Sequence, residues 1–221
     1  MSQQFHDAMV DIAAMPYYKN QAAQSGTYNP GHEAAVAEKL KAHGFVDHPK
    51  TILTEEFNNR VMREWLESND LTSISNITAK MKAGSLIVQP GGKHLFPDII
   101  VKDFNERMIA VECKSTEGKK PMWNDSMPRD EAVYIISSES YNQTTVFMGR
   151  DAIDPAQRKA LYDHHKKLKE LTEEFKREHD KVFGDIWSYY PRPQYNSSLD
   201  PFNDPESRKK REKAVFDYAR L

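Results

Sequence analysis

The chain has 221 residues, 38% hydrophobic and 29% charged, with a net charge of -2 and one cysteine. That length suits one domain with an appended subdomain and is enough to bury a core, and the charge balance does not mark the whole chain as a nucleic-acid binder. No apolar run approaches a membrane span, and Asp7 and Asp11 interrupt any secretion-signal pattern, so the expected compartment is cytoplasmic.

Residues Met1 to Ala23 read as a helix or two, interrupted at Pro16, with Phe5, Ala8, Met9, Ile12 and Ala13 as an apolar stripe. Packing onto the core is the first use for such a stripe, and a dimer contact the second. A loop from Ser25 to Gly31 leads into a helix from Glu33 to His43, closed by Gly44. A further helix is expected from about Thr54 to Glu67, then a polar loop from Asn69 to Asn76.

Strand signals begin at Ser85-Leu86-Ile87-Val88. A glycine-bearing turn, Gln89 to His94, joins this run to Phe96-Pro97-Asp98-Ile99-Ile100-Val101 as a hairpin. A polar turn, Lys102 to Arg107, separates it from Met108-Ile109-Ala110-Val111-Glu112-Cys113-Lys114-Ser115. A long irregular stretch, Ser115 to Pro128, follows. Ala132 to Ser137 is nearly all apolar, as a central buried strand would be, and Thr144 to Met148 is a shorter strand. Pro155 to about Phe183 reads as one long charged helix. Its narrow stripe of Leu161, Leu168, Leu171, Phe175 and Val182 is available to the sheet or to a second subunit. The tail from Trp187 is rich in Tyr, Pro and Asn and ends in a basic helix from about Pro205. A docked helix is preferred there over a DNA arm carrying Arg192, Lys209, Lys210 and Arg211.

Chemistry concentrates at the middle strands. Side chains alternate faces along a strand, so Glu112 and Lys114 share a side and Cys113 takes the other, as a buried structural thiol. The lone Cys113 excludes an internal disulfide and a zinc site built on several cysteines. Asp98 and Glu112 on adjacent strands, with an ammonium beside them, make a seat for a hard divalent cation. Such cations take oxygen ligands, and Mg²⁺ is often held by one or two carboxylates.

Pro97-Asp98 followed by Glu112-Cys113-Lys114 resembles the PD-(D/E)XK nuclease signature, and the wider run from Pro97 to about Gly149 resembles type II restriction endonucleases. The resemblance implies an α/β (α+β) fold: a restriction-endonuclease-like core with a central mixed β-sheet flanked by helices. The whole chain, 1–221, would be one such domain, with its core at about 31–153 and a helical C-terminal extension at 155–221. Asp98, Glu112 and Lys114 are the implied catalytic residues. Glu33 is the candidate extra acid from an upstream helix, and Glu38 the second choice. One or two Mg²⁺ ions would be held by Asp98, Glu112 and the Cys113 carbonyl. Lys93, Lys119 and Lys120 are candidate phosphate contacts. Asn124, Asp125 and Arg129 are candidate base readers, since amide, carboxylate and guanidinium groups match adenine, cytosine and guanine edges. Trp123 is expected to anchor that loop. The implied partners are double-stranded DNA, a second copy of the chain in a homodimer, and a cognate methyltransferase in the same system, with no membrane. Three other readings stay open: a repair or structure-specific nuclease of the same fold, a non-catalytic DNA-binding protein, and an interaction module using the long helix.

Overall fold

Six strands form one mixed sheet whose spatial order follows the chain. They are β1 (Val46–Asp47), β2 (Ser85–Val88), β3 (Ile99–Lys102), β4 (Met108–Thr116), β5 (Val133–Ser138) and β6 (Gln143–Met148). The structure is a computed structural model that describes residues 2–18, 31–50, 80–91, 96–121, 123, 127–179, 202 and 204–218. Helices α1 (Gln3–Ala13), α2 (Gly31–Ala42), α3 (Pro155–Glu178) and α4 (Pro205–Tyr218) complete the described elements, with a turn of 3-10 helix at Gly149–Asp151. The expected helix at 54–67, Lys93, His94, Asn124, Asp125, Val182 and most of the Tyr-Pro-Asn tail lie outside the described residues.

β2, β3 and β4 form an antiparallel meander, β5 runs parallel to β4, and β6 turns back antiparallel to β5. Both faces of the sheet are covered. Ile99, Val101, Ile109, Val111, Val133 and Ile135 face a core built with α1, α2 and α4. Their sequence neighbours Ile100, Ala110, Tyr134 and Ile136 face a second core, which includes Trp123, Phe147 and Phe202. A strand covered on both sides loses the apolar–polar alternation. This is why all six β5 residues are buried and why that run reads as continuously apolar. Burying each such Ile or Val side chain stabilises the fold by about 1.5–3 kcal/mol.

Local signals fix the helix ends. The Ser2 hydroxyl accepts from the Phe5 N–H at the start of α1, and Phe5, Ala8, Met9 and Ile12 enter the core at helical spacing. The helix stops at Ala13, and 14–18 are not helical, so the first helix is shorter than the sequence pattern predicts. Pro16 cannot donate into a helical ladder, which accounts for the early stop. α2 ends in a Schellman motif: the Phe45 N–H reaches the Leu40 carbonyl, the Gly44 N–H reaches the Lys41 carbonyl, and Gly44 takes the left-handed φ of +92°.

Two strand limits differ from expectation. Asp98 stands one residue before β3 rather than inside it, although its carbonyl still accepts the Gln89 N–H at 2.6 Å. Lys102 belongs to β3 and not to the following turn. It is 6% exposed, and its ammonium reaches the Met81 carbonyl at 3.0 Å. A lysine tolerates this position because its long stem carries the charge to a carbonyl acceptor.

At the C-terminal end, α4 lies on β6. The Arg208 guanidinium donates to the Thr144 carbonyl, the Thr145 hydroxyl donates to Glu212, and Val215 is fully buried. The docked reading of this basic helix therefore holds. By contrast, α3 leaves Leu161, Leu168, Leu171 and Phe175 between 37% and 61% exposed, so its stripe does not pack on the sheet.

Candidate active site

The meander register brings the acidic residues together. Ile99 pairs with Val111, so one step outward Asp98 comes level with Glu112. The Asp98 carboxylate accepts the Cys113 N–H at 2.7 Å, which ties it across to β4. Glu112 is 8% exposed and on the same side of β4 as Lys114, whose ammonium meets Glu112 Oε1 at 2.5 Å. The other carboxylate oxygen, Glu112 Oε2, is buried and accepts no hydrogen bond among the described residues. A buried anionic oxygen left in this way is costly, and a cation is the natural remedy.

α2 contributes the third carboxylate. Glu33 lies in its first turn, 8% exposed, and Oε2 accepts from the Gln89 side-chain amide at 2.8 Å. Glu38, five residues on, is exposed and pairs with Lys41 at 3.1 Å, whereas Glu33 is the one that faces the strands. The preceding His32 is 1% exposed, with Nδ1 3.2 Å from the Ser115 hydroxyl of β4. Burial holds its pKa down at about 4, so the imidazole is neutral and braces α2 against the strand.

The electrostatics reflect this crowding. Burial, then the charges of Glu112 and Glu33, raise the pKa of Asp98 to about 8, against the lowering effects of the Cys113 N–H and Lys114. Burial pulls the Lys114 pKa down, but Glu112 and Asp98 outweigh it, and the net direction is up. Lys114 therefore stays charged near neutral pH. Burial, then Asp98, Glu33 and Glu112, push the Cys113 thiol well up, so it is no thiolate nucleophile. Cys113 packs against the core on the helix-bearing face, as strand alternation requires.

Of the remaining predicted residues, Lys119, Lys120 and Arg129 are among the described ones. Lys119 is exposed, its ammonium 5.7 Å from the centre of the Tyr141 ring. Lys120 is half-buried, and its carbonyl accepts from the Thr116 hydroxyl. The Arg129 guanidinium stacks 4.6 Å from the Phe96 ring centre, two residues before Asp98, so it borders the site. Gly149 keeps this segment close: a Cβ there would meet the Arg129 carbonyl oxygen at 1.7 Å. Trp123 is 3% exposed against Tyr134, as expected of the loop anchor.

Two contributors escape the sequence pattern. Gln89 reads as a turn residue, yet its left-handed backbone (φ 49°) directs its N–H to Asp98 and its side chain to Glu33. Tyr134 reads as a core residue, yet it pairs in register with Glu112, and its hydroxyl accepts the Arg129 N–H at 2.9 Å. Nothing in the sequence separates either from an ordinary turn or core position.

An all-oxygen donor set of Asp98, Glu112 and Glu33 suits a hard divalent cation better than a soft one. Among the described residues these acids do not stand as a ready-made cage, because each is engaged by Cys113, Lys114 or Gln89. The orphaned Glu112 Oε2 and the raised Asp98 pKa are the two features that fit a cation here. Set against known proteins, the chain matches no family model, no curated protein and no solved structure.

Proposed function

We propose that the chain is a Mg²⁺-dependent type II restriction endonuclease of the PD-(D/E)XK kind, hydrolysing phosphodiester bonds of double-stranded DNA at a specific site and leaving 5′-phosphate ends. The observation that carries this reading is the three-carboxylate, one-lysine cluster where the start of β3 meets the middle of β4. Asp98 precedes β3, Glu112 lies in β4, Glu33 comes from α2, and among the described residues one buried Glu112 oxygen has no donor. A purely structural ion-pair cluster would balance its charges; this one sets three carboxylates against one ammonium and pushes Asp98 toward the neutral form.

In this reading Asp98, Glu112 and the Cys113 carbonyl would hold one or two Mg²⁺ ions. When bound, Mg²⁺ offsets charge on the scissile phosphate and lowers the pKa of a water. Lys114, kept cationic by Glu112, orients the attacking water and holds a phosphate oxygen. Glu33, fixed by Gln89, adds negative charge on the α2 side, which favours cation binding. Arg129 beside Phe96, with Lys119 and Lys120 on the same loop, supplies cationic groups for phosphate and base contact next to the acids.

The test is incubation of the purified protein with unmethylated plasmid or phage DNA, with Mg²⁺ and with EDTA. Discrete Mg²⁺-dependent fragments are expected, and their ends give the site. A Mg²⁺-dependent smear would move the reading to a structure-specific or non-specific nuclease of the same kind. DNA binding without cleavage would replace it with a non-catalytic binding protein.

A further inference from the structure

Tyr134 is 1% exposed in the second core, where a phenylalanine would fill the same space without burying a hydroxyl. Its ring is held on three sides. It stacks on Phe147 with centroids 5.7 Å apart, meets Trp123 at 5.9 Å, and lies so near Gly149 that a Cβ there would come within 3.0 Å of it. A side chain locked by packing aims its polar atom. Here the aim is the Arg129 N–H, which the hydroxyl accepts at 2.9 Å.

The segment from Pro128 to Glu131 is held at each residue. The Pro128 carbonyl accepts from the Tyr162 hydroxyl. The Asp130 carboxylate pairs with Arg158 at 3.1 Å, and its carbonyl accepts the Arg150 N–H at 3.1 Å. The Glu131 carboxylate pairs with the Arg150 guanidinium at 3.1 Å. The Arg129 carbonyl accepts the Ala132 N–H at 3.2 Å and lies against Gly149. The Arg129 backbone is therefore fixed on both sides, and its guanidinium lies 4.6 Å from the centre of the Phe96 ring, two residues before Asp98. Stacking uses the face of a guanidinium, while its N–H donors lie at the edge, in the geometry that matches phosphate oxygens.

Tyr134 also stands in register with Glu112, on the other side of the same strand pair. The acid cluster sets three carboxylates against Lys114, so a phosphodiester entering it adds charge of the wrong sign. A guanidinium at the Phe96 edge offsets that charge from the substrate side. We propose that Tyr134 is a positioning residue: through its hydroxyl it fixes the Arg129 backbone so that the guanidinium meets a phosphate of the strand being cut. Arg129 then serves the DNA backbone rather than a base edge, because its place is set by the metal-binding carboxylates and not by a groove. This role rests on the nuclease reading.

Single-turnover cleavage of unmethylated plasmid by the full chain in Mg²⁺ tests it, with urea unfolding to give the rate per folded molecule. Tyr134→Phe keeps the ring and removes only the hydroxyl; it should lower that rate about tenfold. Arg129→Gln should lower it about a hundredfold, equally at the preferred site and at sites differing by one base pair. In the double variant the loss should match Arg129→Gln alone, since the hydroxyl acts through Arg129. Phe96→Leu, which removes the ring beside the guanidinium, should also slow cleavage. A hydroxyl that only satisfies a buried N–H would lower stability and leave the rate per folded molecule unchanged, which would overturn the proposal. Losses that multiply in the double variant, full activity in Phe96→Leu, or relaxed site preference in Arg129→Gln would overturn it too. Absence of Mg²⁺-dependent cleavage by the wild type would remove the nuclease reading and this role together, whereas an active wild type with an indifferent Tyr134→Phe would remove this role alone.

Discussion

Asp98 and Asp103 flank the same four-residue strand, and they do opposite things. Asp103, fully buried after β3, accepts the backbone N–H groups of Ser2 at 2.7 Å, Asn105 at 3.0 Å and Arg107 at 2.8 Å. Those donors stabilise its charge and pin the start of α1 to the β3–β4 turn. Asp98, before β3, receives one backbone N–H at its carboxylate and faces Glu112 and Glu33. The lysines divide in the same way. Lys102 reaches the Met81 carbonyl and, at 3.7 Å, the Glu106 carboxylate in solvent, whereas Lys114 reaches a buried carboxylate inside the acidic cluster. One end of the strand is satisfied and builds the fold. The other crowds Asp98, Glu112 and Glu33 together with Lys114, and the Asp98 pKa rises in response.

The comparison is broken most directly by removing groups at the crowded end. Glu112→Ala and Lys114→Ala should each lower DNA cleavage by at least about a thousandfold, with DNA binding nearly unchanged. Retained turnover in either variant, measured on a cleaved plasmid, would end the assignment of the site. At the satisfied end the reverse is expected. Asp103→Ala removes the acceptor of three backbone N–H donors, of which the Ser2 bond is buried, and should cost about 2 kcal/mol of stability in urea unfolding, while cleavage per folded molecule persists. Equal stability losses for Asp98→Asn and Asp103→Ala would erase the distinction.

A third prediction sharpens it through pH. Burial beside Glu112 and Glu33 raises the Asp98 pKa to about 8 in the folded protein, whereas an aspartate in the unfolded chain releases its proton at about pH 4. Between those values the native state binds more protons than the unfolded state, so the metal-free protein should lose stability as pH rises from about 4 to about 8. Asp98→Asn should flatten that fall. Mg²⁺ competes with the proton, so its stabilising effect should grow over the same window. Melting curves at pH 5, 7 and 9 with EDTA or Mg²⁺ read both effects; a slope of the opposite sign in EDTA would remove Asp98 as its source.

The smallest effect belongs to the connector. Gln89→Ala frees Glu33 and should lower cleavage about tenfold and raise the Mg²⁺ concentration for half-maximal rate, with stability changed by less than about 1 kcal/mol. An unchanged Mg²⁺ dependence would make Gln89 a turn residue only.

Much of this arrangement was legible in the residues themselves. Side-chain alternation put Glu112 and Lys114 together and turned Cys113 to the core. The unbroken apolar run announced β5, and Gly44 marked the end of α2. These are local periodicities and local backbone preferences, and a sequence carries them in order. Tertiary structure alone decided the rest. It turned Glu33 toward Gln89 and Glu38 toward Lys41, drew Lys102 into β3, and left the α3 leucines in solvent. It also separated two aspartates that the sequence presents alike. Burial and Coulomb interactions act between groups far apart in the chain, so the protonation of Asp98 depends on Glu33, 65 positions earlier, as much as on its own neighbours.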